Sequence, residues 1–235
     1  MPAARSSGPQ AGCGAETVTS DSLAGLTLTE FSERLASAEP VPGGGSASAI
    51  AGSFAASLLA MVARLSVDRP KYATYQKTHG RALATGERGR TVLLELADAD
   101  ARAYAGFADA RKMPKESEAE QAAREAATRI AARASTEVPL NVVDECARLL
   151  DDVEAMAGRS NLNASSDLEV AARLASAAAR GAVANVLINL PMVGDEEYAA
   201  ATTERVEGML QEIERNAAQV SEIVGGGGLR EPEAE

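Results

Sequence analysis

Tryptophan is absent from this 235-residue chain, aromatic residues make up 3%, and there are two cysteines and one histidine. A core without aromatic bulk has to be filled by Ala, Leu, Val and Ile, and Ala-rich helices pack at close range. Two cysteines, Cys13 and Cys146, form no disulfide framework or zinc pattern. With His79 as the lone histidine, catalytic zinc is not expected. His79 itself reads as a surface residue in or near a loop. Basic residues are outnumbered, 23 Lys and Arg against 34 Asp and Glu, for a net charge of −11. That balance argues against a nucleic-acid surface but leaves room for a local basic pocket. No apolar run reaches the roughly 18 residues of a membrane span. The first 22 residues lack the hydrophobic stretch of a secretory signal. A cytoplasmic protein is the expectation.

What is there is helical. Residues 1–24 and 225–235 are rich in Gly, Ser, Pro or charge without periodicity and read as disordered tails. Between them, 25–224 reads as one all-α domain, a bundle of long antiparallel helices. Thr27 and Glu30 have capping-box spacing. Helices are expected from Thr27 to about Ala38, Ser46 to Ser66, Gln76 to Lys112, Glu116 to Ala157, Ser166 to Leu190, and from Asp195 to the glycine run at 225. Pro139 should kink or break the fourth. No strand is expected.

Three features carry chemistry. Pro42-Gly43-Gly44-Gly45-Ser46 precedes an Ala-rich helix. Glycines there leave backbone N–H groups free and let a partner approach the main chain. No Gly-Lys-Ser/Thr follows and no strand precedes, so this is neither a P-loop nor a dinucleotide fingerprint. The other reading is a tight turn at a helix contact. Asp98 and Asp100 point about 200° apart on one helix. Asp100 falls within the apolar stripe of Leu93, Leu96, Ala103, Tyr104 and Phe107. Asp98 falls on the opposite, solvated side, within reach of Arg102. An aspartate on an apolar stripe is either a hydrogen-bonded core group or a carboxyl with a raised pKa fit for proton transfer. Finally, Asp167, Ala171, Leu174, Ala178, Gly181, Asn185 and Asn189 share one face of a buried helix, a polar seam with small residues in its middle. Lys112 and Lys115 end the long helix, either as dipole partners or as anion contacts.

Four blocks in order resemble the cyclodeaminase/cyclohydrolase family. They are Pro42 to Ser46 with its helix to Met61-Val62, and Asp98-Ala99-Asp100-Ala101 with Met113-Pro114-Lys115. Val138-Pro139-Leu140 follows, then Ser166-Asp167-Leu168 running on to Asn185 through Leu190. The resemblance implies an all-α homodimer and a tetrahydrofolate derivative as substrate, with no prosthetic group. It also implies a cleft near the helix ends and an Asp-Ala-Asp aspartate as acid/base, Asp100 by phase. Pro42, Gly43, Gly44, Gly45, Ser46, Asn185 and Asn189 would line the pocket with Asn161, Ser166 and Asp167. Lys112 and Lys115 would meet the glutamate tail or the rim. Many relatives carry Gly-Asn where this chain has Ser160-Asn161. The activity implied is methenyltetrahydrofolate cyclohydrolase or formimidoyltetrahydrofolate cyclodeaminase, without a formiminotransferase domain. The competing reading is a non-catalytic helical interaction or regulatory module.

Overall fold

The computed structural model describes residues 22–233, and among them helices α1 (Leu28–Leu35), α2 (Gly44–Ser66), α3 (Gln76–Lys112), α4 (Glu118–Met156), α5 (Ser165–Asn189) and α6 (Glu196–Gly226) are joined by turns and short 3₁₀ segments, with no strand. Capping sets the starts. Thr27–Glu30 and Ser117–Glu120 form capping boxes, and Asp195 accepts from the Tyr198 N–H.

Helix α2 lies at the centre, packed on α3 and α5, while α4 bridges those two and α6 covers α4 and α5. The core follows from composition. Ala49, Ala55, Ala56 and Ala63 of α2 and Ala171, Ala172, Ala175, Ala179 and Ala182 of α5 are fully buried. Small residues let the helix axes come together. A side chain at Gly86 of α3 would strike the backbone of Ala56 and Ala60, and one at Gly181 of α5 would strike Ser48. By length and composition α2 alone among the described helices could cross a membrane, contrary to the expectation of no such run. In this fold it is the core helix, 61% buried over its most apolar window.

Four other local expectations change. Helix α4 is continuous through Pro139. His79 is fully buried in the first turn of α3, its Nε2 2.8 Å from the Arg159 carbonyl oxygen. Residues 225–233 are not a loose tail. Gly225 and Gly226 finish α6, and Gly227 closes it with φ 66°. The segment beyond is tied down by Arg230 N–H to the Gly158 carbonyl, Tyr75 hydroxyl to the Arg230 carbonyl, and Arg159 Nε to the Glu231 carbonyl. At the other terminus, residues 1–21 lie outside the described residues and Cys13 with them. Ser22 and Leu23 are held on α3 by hydrogen bonds to Asp98.

Gly86→Ala places a methyl group against the α2 backbone, where neither helix has a side chain to yield. It should destabilise the fold by about 1–3 kcal/mol, read as a lower urea midpoint at unchanged slope.

Candidate functional site

A cavity of about 340 Å³ opens where the start of α2, the middle of α3, α4 at Ser135 and the end of α5 meet. Its wall on α2 is the glycine run. Gly43 is the N-cap, and Gly44 and Gly45 form the first turn, where helix N–H groups have no partner within the helix. The missing side chain matters most at Gly45, because a Cβ there would overlap the Asp100 carboxylate. At Gly44 a Cβ would sit 3.7 Å from Asn185 Nδ2, an ordinary contact. Pro42 is buried just outside, beyond a cis Val41–Pro42 peptide.

Asp100 reaches this wall from α3. The Ser46 hydroxyl donates to Asp100 Oδ2 at 2.8 Å and also lies 3.1 Å from the Ala97 carbonyl oxygen. Burial pushes the Asp100 carboxyl above the ordinary aspartate range, and the hydroxyl and backbone hydrogen bonds of Ser46 offset only part of that rise. The protonated form therefore persists to higher pH than in a free aspartate. Tyr104 and Phe107, the next residues up the same stripe, line the cavity rather than the core.

From α5 come Asn185 and Asn189. Asn185 Nδ2 donates to the Gly181 carbonyl at 2.8 Å, and Asn189 Nδ2 donates across to the Ser135 carbonyl of α4 at 2.8 Å. Ser135 also turns its hydroxyl toward the Ala103 carbonyl oxygen of α3 at 3.3 Å, so this one residue links three helices beneath the cavity.

Not every residue singled out in the sequence gathers here. Asp98 does not face solvent beside Arg102. It accepts from the Ser22 hydroxyl and the Leu23 N–H, both at 2.6 Å, and holds the start of the described chain against α3. Ser166 and Asp167 lie at the start of α5, with Asn161 just before it, about 33 Å along the bundle from Asn189 by helix rise. There Asn161 is a structural cap: its N–H donates to Ser66 Oγ at 2.9 Å and its Oδ1 accepts from Asn163. Tyr72 and Tyr75 are buried at that same end, away from the cavity.

A second cavity, about 540 Å³, adjoins the first through the shared wall residue Met192. Arg111, Lys115, Arg124 and Arg129 ring it, with Glu125 taking part of the charge of Arg129. Lys112 stays outside, exposed and paired with Asp109. Sequence reasoning found Lys115 but missed Arg111, Arg124, Arg129 and Ser135. The short Met113–Ser117 connection was the available signal, since it folds the end of α3 back beside the start of α4.

Residues 27–208 match the family described as formiminotransferase-cyclodeaminase. The chain is 34% identical over 186 residues to a methenyltetrahydrofolate cyclohydrolase of Methylorubrum extorquens, covering 79% of this chain and 89% of that protein. It is 32% identical over 199 residues to the formimidoyltransferase-cyclodeaminase of Mus musculus, covering 85% of this chain but 37% of that longer protein. The crystal structure of a formiminotetrahydrofolate cyclodeaminase from Thermotoga maritima superposes with a TM-score of 0.77 at 29% identity, covering 86% of this chain and 96% of the other.

The raised carboxyl has a stability consequence. The folded protein holds the Asp100 proton to higher pH than the unfolded chain does, so stability falls as pH rises from the ordinary aspartate value through the folded one. Asp100→Asn removes the penalty. It should raise Tm at pH 7, with the gain shrinking toward pH 4, as followed by circular dichroism. An all-α bundle with a glycine-walled cavity over a raised aspartate, matched by the family's profile across most of its length, belongs to the formiminotransferase-cyclodeaminase family.

Proposed function

We propose that this chain is a folate-dependent one-carbon enzyme, a methenyltetrahydrofolate cyclohydrolase or a formimidoyltetrahydrofolate cyclodeaminase, with Asp100 as general acid and base. The observation that carries the reading is one carboxyl, raised by burial and held by Ser46, in the wall of a cavity large enough for a bicyclic ring. The names of the relatives supply the substrate class.

Either reaction needs a single positioned proton carrier. In cyclohydrolysis, the Asp100 carboxylate takes a proton from water as its oxygen bonds to the methenyl carbon. The resulting carboxylic acid then protonates the ring nitrogen whose bond to that carbon breaks. The new hydroxyl gives its proton back through the regenerated carboxylate to solvent as its oxygen becomes the formyl C=O on the other nitrogen, so one proton is released per turnover. In cyclodeamination, N10 bonds to the carbon of the protonated formimidoyl group, N10 loses its proton to the carboxylate, and Asp100 passes that proton to the resulting amino group, whose bond to the carbon breaks to release ammonia and leave the methenyl cation. A raised pKa suits both halves, because the same group must release its proton as readily as it takes one.

The remaining parts take supporting roles. Gly44 lets the ring approach the α2 backbone, Gly45 makes room for the Asp100 carboxylate, Tyr104 and Phe107 offer apolar faces, and the Arg111–Lys115–Arg124–Arg129 cavity suits the carboxylates of the glutamate tail. Lys112 is left out of that role by its place outside the ring.

Purified protein should turn over one of the two substrates in a spectrophotometric assay. Asp100→Asn should lower kcat at least about 100-fold with the fold intact, and Gly45→Ala, which displaces the carboxylate, should cost about 100-fold in kcat/KM. Turnover of neither substrate would sink the reading.

The homodimer belongs to the same proposal. Helix α2 turns Phe54, Leu58, Met61 and Leu65 outward in one phase, with Phe54, Met61 and Leu65 exposed. Such a stripe is self-complementary about a two-fold axis. Sedimentation should give twice the 24.2 kDa of one chain, and Phe54→Glu with Met61→Glu should give one chain's mass. A monomeric wild type contradicts the dimer.

A further inference from the structure

Pro139 sits in the middle of α4 without breaking it, and the reason lies in what it does to Ser135. In an α-helix the N–H of residue 139 would donate to the carbonyl of residue 135. Proline has no N–H, so that carbonyl loses its helical partner. Asn189 supplies the replacement: its Nδ2 donates to the Ser135 oxygen at 2.8 Å. A backbone carbonyl only accepts, so this bond fixes which end of the carboxamide points where. The same logic holds one turn earlier on α5, where Asn185 Nδ2 donates to the Gly181 carbonyl. Each NH₂ group thus has one N–H held by protein, which fixes the carboxamide, and among the described residues no donor meets either Oδ1. Both residues line the cavity.

We propose that Pro139 and Ser135 are positioning residues that lock the Asn189 carboxamide, as Gly181 locks Asn185, so that the α5 wall presents hydrogen-bond acceptors and selects the donor edge of a heterocycle. Resting on the folate reading of the site, this assigns the α5 wall to the pyrimidine end of the pterin, whose 2-amino group and N3–H are adjacent donors. It also gives Pro139 a part in binding although its ring is buried and no ligand atom needs to touch it.

The test is calorimetric binding of 5-formyltetrahydrofolate and its 2-desamino analogue, which lacks one donor. Wild type should prefer the amino compound about tenfold, the worth of one well-formed hydrogen bond. Asn185→Ala and Asn189→Ala should each cut that preference to about twofold, since a shared donor then lacks its acceptor. Pro139→Ala restores a helical donor to Ser135 and releases Asn189. It should cut the preference to about threefold and add nothing in an Asn189→Ala background. A purely structural proline would change Tm and leave the preference alone.

Equal affinity of wild type for the two compounds overturns the inference without any variant. A tenfold preference kept in Asn189→Ala or Pro139→Ala overturns it while the folate reading stands. No binding of either compound to wild type overturns both.

Discussion

The contact on which the site depends is a carboxylate laid against bare backbone. Asp100 of α3 meets the first turn of α2 at a point where no side chain fits, and Ser46 closes over it with a hydroxyl. Two demands conflict there. Burial favours the neutral acid, while hydrogen bonding from Ser46 favours the anion. Desolvation wins, so the group keeps its proton to higher pH than a free aspartate.

The rest of the bundle is arranged so that this contact can form. Helix α2 brings its glycines to α3 and α5 only because all three helices are narrow where they touch. Gly86 lies over Ala56 and Ala60, and Gly181 lies against Ser48. Larger core residues would spread the axes and lift the α2 backbone away from Asp100. Scarcity of aromatic residues and abundance of alanine are therefore one property seen twice, and they have a functional consequence at the end of the bundle. The few aromatic rings that do occur on the Asp100 stripe, Tyr104 and Phe107, stand in the cavity, where a ligand ring and not a neighbouring helix would face them.

Features governed by local periodicity were readable in the sequence. Helix α3 spans the expected Gln76–Lys112, and the phase argument separating Asp100 from Asp98 matches their different surroundings. What could not be read depends on partners far along the chain. Pro139 leaves α4 unbroken because a side chain 54 residues away takes up the carbonyl it strands. His79 is buried because Arg159, 80 residues on, meets its ring. The terminal glycines looked featureless because their fixings, Arg230 on Gly158 among them, are long-range. Ser166 and Asp167 share a helix with Asn189, and Asn161 just precedes it, yet a helix of this length carries its two ends to opposite ends of the bundle. The basic cavity needed the fold as well, since it pairs the end of one helix with the start of the next.

The central claim is that one carboxyl, Asp100, titrates above its ordinary value at the place where folate binds. A ¹³C NMR titration of the side-chain carboxyls, with the Asp100 signal identified by its loss in Asp100→Asn, tests that directly in the presence and absence of 5-formyltetrahydrofolate. The account predicts a midpoint above the ordinary aspartate value and a shift of that signal when the folate is added. A midpoint at or below the ordinary value, or a signal that the folate leaves untouched, would contradict it.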